Sequence, residues 1–230
     1  MYESEPAAHM LAVAGGKGGS GKTTTTLGLA RAHPDTVLAA DLDWEMPNLH
    51  AMAGVNRPSR AEGSHPWGPD WSGRSRAERF DCDVLPAPPV SRGERADVLS
   101  GLSRLQATAT PVLLDCPCGI APDAVKPLSL ADRTVVVTTL CRASVRGAVK
   151  TAAASRAVGT PVAGVIATRT AAAGSRLESL LDAPVLATVP ETDSRPLSSE
   201  VVREAYAGAI DRLGPDRGLG TSNFPKRNKS

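Results

Sequence analysis

Residues 16–23 read Gly-Lys-Gly-Gly-Ser-Gly-Lys-Thr and fit the phosphate-binding loop pattern G-x-x-x-x-G-K-[ST]. Glycines let successive backbone N–H groups turn inward toward a phosphate, where a Cβ atom would obstruct them. In such a loop Lys22 reaches the β- and γ-phosphates, and the Thr23 hydroxyl ligates Mg²⁺. The alternative is a glycine-rich turn without a ligand, but an apolar strand is predicted before the loop, over 10–14, and a helix after it, over 22–32. We therefore expect a nucleotide site at this loop.

The composition is that of a globular protein of ordinary domain size. The chain has 230 residues, of which 41% are hydrophobic and 22% charged, which predicts one domain over 1–213. The remainder, 214–230, is polar and basic and is predicted to be disordered. No apolar run approaches the roughly 18 residues of a membrane helix, and the acidic N-terminus is unlike a signal peptide. A cytoplasmic location with free thiols is therefore expected.

Apolar strands and helices alternate along the chain. This alternation predicts an α/β fold with a mostly parallel central sheet flanked by helices on both faces. One stretch, 56–79, is rich in Gly, Pro, Ser, Arg and Trp without periodicity and is predicted to be a long mobile surface loop. The predicted strands are 10–14, 36–40, 83–86, 111–115, 134–139, 162–167 and 185–189. The predicted helices are 22–32, 93–106, 142–158, 175–181 and 197–212.

Aspartates end two of the predicted strands. Asp41 and Asp43 follow one apolar run, and Asp115 ends another. Because ligands of open α/β sheets gather at the carboxyl ends of the strands, these acids should lie beside the phosphate loop. An Asp in that position holds Mg²⁺, often through a water, against the loop threonine. The alternative for each acid is a strand-terminal turn or a helix cap.

These motifs together resemble the MinD/ParA group of ATPases. The loop Lys17-Gly-Gly-Ser-Gly-Lys-Thr-Thr24 has the additional lysine of that family's deviant Walker A motif, K-G-G-x-G-K-T-T. Asp41-Leu-Asp43 is similar to its D-x-D motif, and Asp115-Cys-Pro-Cys-Gly119 to its D-x-P-x-G motif. The resemblance covers roughly residues 10–190, in order and spacing.

The resemblance implies an ATP-sandwich homodimer that forms with Mg²⁺ and ATP and separates after hydrolysis. Lys17 would be the signature lysine that crosses to the partner's γ-phosphate, acting catalytically with Lys22. Asp43 would orient the attacking water, and Asp43 and Asp115 would support the metal beside Thr23. An activating protein partner is also implied. The loop residues expected to bind nucleotide are Gly16, Lys17, Gly18, Gly19, Ser20, Gly21, Lys22, Thr23 and Thr24.

The chain departs from the family pattern where the base should bind. Leu140-Cys141 replaces the usual Pro-Glu, and Thr168-Arg169 replaces an Asn-Arg pair whose asparagine reads adenine. A threonine hydroxyl lacks the paired donor and acceptor of an amide, so the choice between ATP and GTP stays open. Pro190 and Glu191 resemble the family's loop on the base side. Thr168, Arg169, Pro190 and Glu191 complete the predicted nucleotide site.

The charge pattern suggests a partner surface. Arg142, Arg146 and Lys150 recur every four residues on a predicted helix, within a segment, 133–177, that contains no acid. Such a stripe can neutralise the phosphates of nonspecific DNA or an anionic membrane surface. The alternative is a solvated helix face whose basic residues pair with acids elsewhere.

The predicted function is a slow, partner-stimulated, dimerising ATPase that positions or partitions a cellular cargo. Three alternatives remain: a ParA-like partition ATPase that binds DNA nonspecifically, an ATP-sensing scaffold with little turnover, and an amidoligase-type synthetase. The last helix is predicted to pack on the sheet, so no clear membrane anchor is identified. Cys116 and Cys118 lack the spacing of a metal site and are predicted to be buried thiols.

Overall fold

A single eight-stranded sheet organises the molecule, with strand order β3-β4-β2-β5-β1-β6-β7-β8. The structure, a computed structural model, describes residues 10–57, 73–102, 110–192 and 195–214. Every neighbouring pair is parallel except the edge pair β3 and β4, which is antiparallel. The strands are β1 Met10–Gly15, β2 Leu38–Asp41, β3 Ser75–Ala77, β4 Cys82–Leu85, β5 Val112–Cys118, β6 Arg133–Thr139, β7 Val162–Thr168 and β8 Val185–Val189.

Helices cover both faces of this sheet, because the inner strands are apolar on both sides. Leu11 of β1 packs in one core cluster with Leu27 of α1 and Tyr206 of α7. Its neighbour Ala12 points the other way and packs with Val98 of α3; α5 and α6 form a third cluster. The predicted α/β architecture is thus confirmed. The helices are α1 Lys22–Ala32, α2 Leu49–Ala53, α3 Arg95–Leu102, α4 Pro122–Val125, α5 Arg142–Ala157, α6 Ser175–Leu181 and α7 Glu200–Leu213.

Several predicted boundaries are corrected by the structure. Within the predicted loop 56–79, residues Ser75–Ala77 form β3 and Glu78–Phe80 form a 3₁₀ turn, because Ala77 and Phe80 are buried in the core. A three-residue strand is too short to produce a visible period. The short helices α2 and α4 were missed for the same reason. Residues 58–72 of that loop lie outside the described part of the chain.

Two of the predicted helices, α3 and α7, also begin at a later residue than predicted. Helix 93–106 begins at Arg95, after a capping box between Ser91 and Glu94, and is described as far as Leu102. Helix 197–212 begins only at Glu200, because Pro196–Ser198 forms a 3₁₀ turn before it. The predicted tail 214–230 falls, apart from its first residue, outside the described residues. Within the described ranges no helix combines the length and apolar character needed to cross a bilayer.

Helices α1 and α7 cross at Gly28, where the ring of Tyr206 leaves no room for a side chain. A Cβ atom on Gly28 would lie 2.3 Å from Tyr206 Cδ2. Tyr206 is buried, and its hydroxyl lies 3.2 Å from Thr25 Oγ1, so the ring is held at both ends. The glycine therefore fixes how closely α7 approaches the helix that follows the phosphate loop.

We expect Gly28→Ala to lower the free energy of unfolding by up to about 2 kcal/mol, measured by urea denaturation. Overpacking a core costs about 1–3 kcal/mol, which exceeds the roughly 1 kcal/mol that alanine gains over glycine in a helix. Gly93→Ala is the matched control, because a Cβ at Gly93 meets nothing within 4 Å. An unchanged or raised stability of Gly28→Ala would contradict the close packing of α1 on α7.

Candidate nucleotide-binding site

The phosphate loop joins the end of β1 to the start of α1, at the carboxyl edge of the sheet. The backbone turns through Gly19 and Gly21, whose φ angles of 73° and 91° lie in the left-handed region that favours glycine. The N–H of Thr25 then donates to Gly21 O at 2.8 Å and begins the helix. Lys22 is buried, whereas Lys17 is exposed at the mouth of the loop.

A second glycine contact presses the loop against α5. A Cβ atom on Gly16 would lie 2.1 Å from the backbone carbon of Gly147, and one on Gly147 would lie 2.9 Å from Gly16. The two backbones can approach this closely only because both residues are glycines. Gly147 was not identified as a site residue from the sequence, although an isolated glycine inside a predicted helix can have a packing role.

Two buried carboxylates face each other beside the loop. Asp41 ends β2 and is the register partner of Asp115, and both are buried. The structure corrects the prediction that Asp115 ends its strand, because β5 continues for three residues to Cys118. Thr26 of α1 donates to Asp115 Oδ1 at 3.3 Å, whereas Asp115 Oδ2 has no hydrogen-bond partner among the described residues. A buried carboxylate oxygen without a donor is costly, which is expected of a site completed by a ligand.

The two acids are held in an environment that disfavours their charge. Burial, reinforced by the charge of Asp115, raises the pKa of Asp41 to about 7. Burial likewise raises the pKa of Asp115 to about 6, although the charge of Lys22 acts against it. The Thr23 hydroxyl has one proton, and we assign it to Asn48 Oδ1, at 2.8 Å. Thr23 therefore contributes little to keeping Asp115 charged.

The donor set fits Mg²⁺. The ion prefers oxygen ligands and keeps several waters, and it is usually bound through one or two carboxylates together with substrate phosphates. The Thr23 hydroxyl of the phosphate loop and the unpartnered Asp115 Oδ2, which lies close enough to interact with Lys22, supply such oxygens. A divalent cation would also remove the electrostatic cost of ionising Asp41 and Asp115 together.

The loop after β2 is organised by Asp41. Its Oδ1 accepts from the N–H of Asp43 and its Oδ2 from that of Leu49, each at 3.1 Å. Asp43 is half-buried, and its Oδ1 accepts from Met46 N at 3.1 Å. Asp41 thus supports the loop that presents Asp43. This role of Asp41 was not predicted from the sequence. Asn48, the residue directly before α2, was not identified from the sequence either.

Without metal, the protein should lose stability as the pH rises from about 4 to about 7. The pKa of Asp41 is higher in the folded protein than its ordinary value of 3.8, so folding favours the protonated carboxyl, and this contribution disappears as the group ionises. One pKa unit corresponds to about 1.4 kcal/mol. Urea unfolding at several pH values in EDTA measures the slope. Asp41→Asn should flatten it, and an unchanged slope in that variant would rule out Asp41 as its source.

A cavity of about 170 Å³ opens next to the start of α1 and collects the residues predicted to surround the base. Thr168 Oγ1 donates to Ser20 O at 2.7 Å, so its proton is committed to the phosphate loop and only its oxygen can accept. The Arg169 guanidinium donates to Gly19 O. The backbone of Arg169 has a φ of 55°, which is unusual for a non-glycine residue. The cavity is lined by Gly21, Thr24, Thr168, Arg169, Pro190 and Glu191, among others.

The basic stripe of α5 lies outside this cavity. Arg142, Arg146 and Lys150 are exposed, and within the described ranges none of them forms an ion pair. Helix α5 nevertheless begins beside the loop, because Cys141 immediately precedes it and Cys141 Sγ lies 3.8 Å from Lys17 Nζ. The stripe therefore starts near the mouth of the nucleotide site.

The two cysteines after Asp115 differ in environment. Cys116 is buried, and burial raises its pKa, as expected for a thiol in the core. Cys118 is exposed, so the prediction that both thiols are buried is wrong for this residue. The strand β5 continues to Cys118, and its last two residues, Pro117 and Cys118, leave the core.

Comparison with known proteins identifies the family. Residues 11–200 match the model of the CobQ/CobB/MinD/ParA nucleotide binding domain. The chain belongs to this family. It is therefore a MinD/ParA-type nucleotide-binding domain, as its motifs indicated.

Individual relatives are distant. An uncharacterized ATP-binding protein of Methanocaldococcus jannaschii is 28% identical over 194 residues, which cover 79% of this chain and 74% of the relative. The septum site-determining protein MinD of Pyrococcus horikoshii, in complex with Mg-ADP, superposes with a TM-score of 0.76 at 19% identity, covering 90% and 96% of the two chains. The Aquifex aeolicus MinC:MinD cell division complex gives a TM-score of 0.75 at 21% identity, covering 96% of this chain and 100% of the matched one.

Proposed function

We propose that this domain is a Mg²⁺-dependent ATPase that switches between a monomer and an ATP-bound homodimer and thereby positions or partitions a cellular cargo. The observation that carries the proposal is the unpartnered Asp115 Oδ2 beside Lys22 and Thr23, at a phosphate loop that adjoins a cavity. Binding of Mg-ADP by the Pyrococcus horikoshii relative supports the same nucleotide and metal here. The cytoplasmic location stays a prediction from the sequence.

Each of these residues has a distinct proposed role in phosphoryl transfer. The loop N–H groups and Lys22 would bind the β- and γ-phosphates, while Asp43 orients a water whose oxygen forms a bond to the γ-phosphorus as the bond to the bridging oxygen breaks. Thr23, Asp43 and Asp115 would hold Mg²⁺, which supplies positive charge where the phosphates accumulate negative charge. Positioning and charge neutralisation suffice for this reaction, because the protein contributes little covalent chemistry.

A second copy of the chain is the proposed partner at the carboxyl edge. Lys17 is exposed at the mouth of the loop and has no ion pair among the described residues, which leaves it available to the γ-phosphate of a facing protomer. Three large apolar side chains are exposed on loops that follow β2, β5 and β6: Met46 at 75%, Ile120 at 50% and Leu140 at 46%. Apolar residues around a polar site are what a dimer interface would bury.

Light scattering and phosphate release test the switch together. We expect the wild type to dimerise with Mg·ATP but not with Mg·ADP, and Lys17→Ala to reduce turnover about tenfold or more, because a charge at the γ-phosphate is removed. Lys126→Ala, at an exposed lysine of the turn after α4, is the control and should leave both unchanged. ATP-dependent dimers without turnover in the wild type would instead support the scaffold alternative, and an ATP-bound monomer would contradict the dimer.

A second candidate, nonspecific DNA binding by the ATP-bound form, is favoured by the basic stripe of α5. Arg142 is the first residue of the helix, where the positive end of the helix dipole disfavours cations, and Arg146 lies one turn further along the same face. They have no compensating carboxylate within the described ranges. Their placement is therefore unfavourable for the isolated helix and favourable for binding a polyanion.

A further inference from the structure

Arg95, at the start of α3, contacts both the loop that carries Asp43 and the short helix α4 that follows β5. Its guanidinium donates to Glu45 Oε1 at 2.8 Å and to Asp123 Oδ2 at 2.6 Å. The same group lies over the ring of Trp44, 5.4 Å from the centroid. Although it bonds two partly exposed carboxylates, the Arg95 side chain is only 11% exposed. It is therefore a fixed, three-way contact rather than a mobile surface arginine.

The two carboxylates belong to different segments of the site. Glu45 follows Asp43 by two residues, in the loop between β2 and α2, whereas Asp123 lies in α4, just beyond the Asp115 motif. Arg95 itself is placed by the capping box before α3, in which Glu94 accepts from both the N–H and the hydroxyl of Ser91. A side chain anchored on α3 thus joins the loop of Asp43 to the segment that follows β5.

We propose that Arg95 is a positioning residue that makes these two segments move as one unit and so sets the placement of Asp43 relative to the phosphate loop. This role rests on the proposed ATPase function. Arginine suits it, because its planar fork bonds two oxygens in a fixed geometry while its face stacks on an aromatic ring. Lysine offers a single charged group and matches neither requirement.

Hydrogen bonds to β2 and α1 hold the loop of Asp43 independently of Arg95. Asp41 accepts the N–H groups of Asp43 and Leu49, and Asn48 accepts the Thr23 hydroxyl. These contacts tie the loop to β2 and α1, but they do not reach the segment after β5 through a side chain. Removing Arg95 should therefore leave the fold and the nucleotide affinity in place while loosening Asp43.

The kinetic test compares Arg95→Gln, Arg95→Lys and Arg92→Gln. We expect Arg95→Gln to lower kcat for phosphate release about tenfold or more, since misplacement by an ångström can cost a hundredfold, with less than a threefold change in the Kd of Mg·ATP. Arg95→Lys should recover only part of the rate. Arg92→Gln is the matched control, because Arg92 lies 4.0 Å from the same Glu45 but is 82% exposed. Equal losses in kcat and affinity for Arg95→Gln would overturn the positioning role.

Hydrogen exchange tests the coupling without relying on turnover. Asp123→Asn should speed exchange at the amides of Asp43 and Met46, which are hydrogen-bonded within the other loop. Glu45→Gln should in turn speed exchange at the hydrogen-bonded amides of Val125, in α4, and of Lys126, directly after it. No cross-effect in either variant would overturn the coupling. If the wild type itself showed no turnover while the cross-effects appeared, the ATPase proposal would fail and the coupling of the loops would stand.

Discussion

Lys22→Ala is expected to weaken binding of Mg·ATP by about a hundredfold or more. Lys22 is buried at the base of the phosphate loop, where its charge also offsets that of Asp115. A hydrogen bond to a charged group is worth about 1.5–3 kcal/mol, and Lys22 is expected to contact two phosphates. Its loss would also remove the buried side-chain cation that offsets the charge of Asp115 beside the phosphates. Titration of a fluorescent ATP analogue measures the Kd.

Two controls make this result specific. Lys126→Ala removes an exposed lysine after α4 and should leave the Kd unchanged. Circular dichroism of Lys22→Ala should remain that of the wild type, because the loop is held by backbone and glycine contacts that the lysine does not make. Near-normal ATP affinity in a folded Lys22→Ala variant would contradict the assignment of this loop as the phosphate site.

Long, strongly patterned segments of the fold were predictable, because their residues alternate or repeat over enough length. The helix Lys22–Ala32 has the predicted bounds, and the helix Arg142–Ala157 differs from them by one residue. The short elements β3 and α2 were not predicted, since their stability comes from burial against distant parts of the chain rather than from a local period. Tertiary packing of Phe80 holds the β3 region in the core.

The candidate site was also predictable only in part. The placement of Asp41 and Asp115 beside the glycine loop could be predicted, because the motif and the parallel strands define it, although β5 continues beyond Asp115. The support given by Asp41 to the Asp43 loop could not, since it depends on hydrogen bonds across a turn. The bonds from Arg95 to Glu45 and Asp123 span 50 and 28 residues, and no local pattern reports such contacts.

Asp43→Ala should keep ATP binding and dimerisation but lose turnover by about a hundredfold or more. The substitution removes the carboxylate that would orient the attacking water, and groups of this kind contribute about 10²–10⁴-fold. It leaves Lys22, the loop backbone and the other two proposed Mg²⁺ ligands, Thr23 and Asp115, unchanged. Phosphate release and light scattering measure the two properties, and Asp97→Ala, at an exposed carboxylate of α3, is the control. Turnover at the wild-type rate would show that Asp43 does not orient the water.

The trapped Asp43→Ala dimer also decides whether DNA is a partner. If the basic stripe binds phosphates, this variant should bind nonspecific duplex DNA with Mg·ATP but not with Mg·ADP, and more weakly as salt rises, because bound counterions are released from the DNA. Adding Arg142→Ala and Arg146→Ala should abolish binding without affecting dimerisation, because both side chains are exposed and make no ion pair among the described residues. Absence of binding in both nucleotide states would eliminate DNA and leave a protein or an anionic membrane as the partner of the switch.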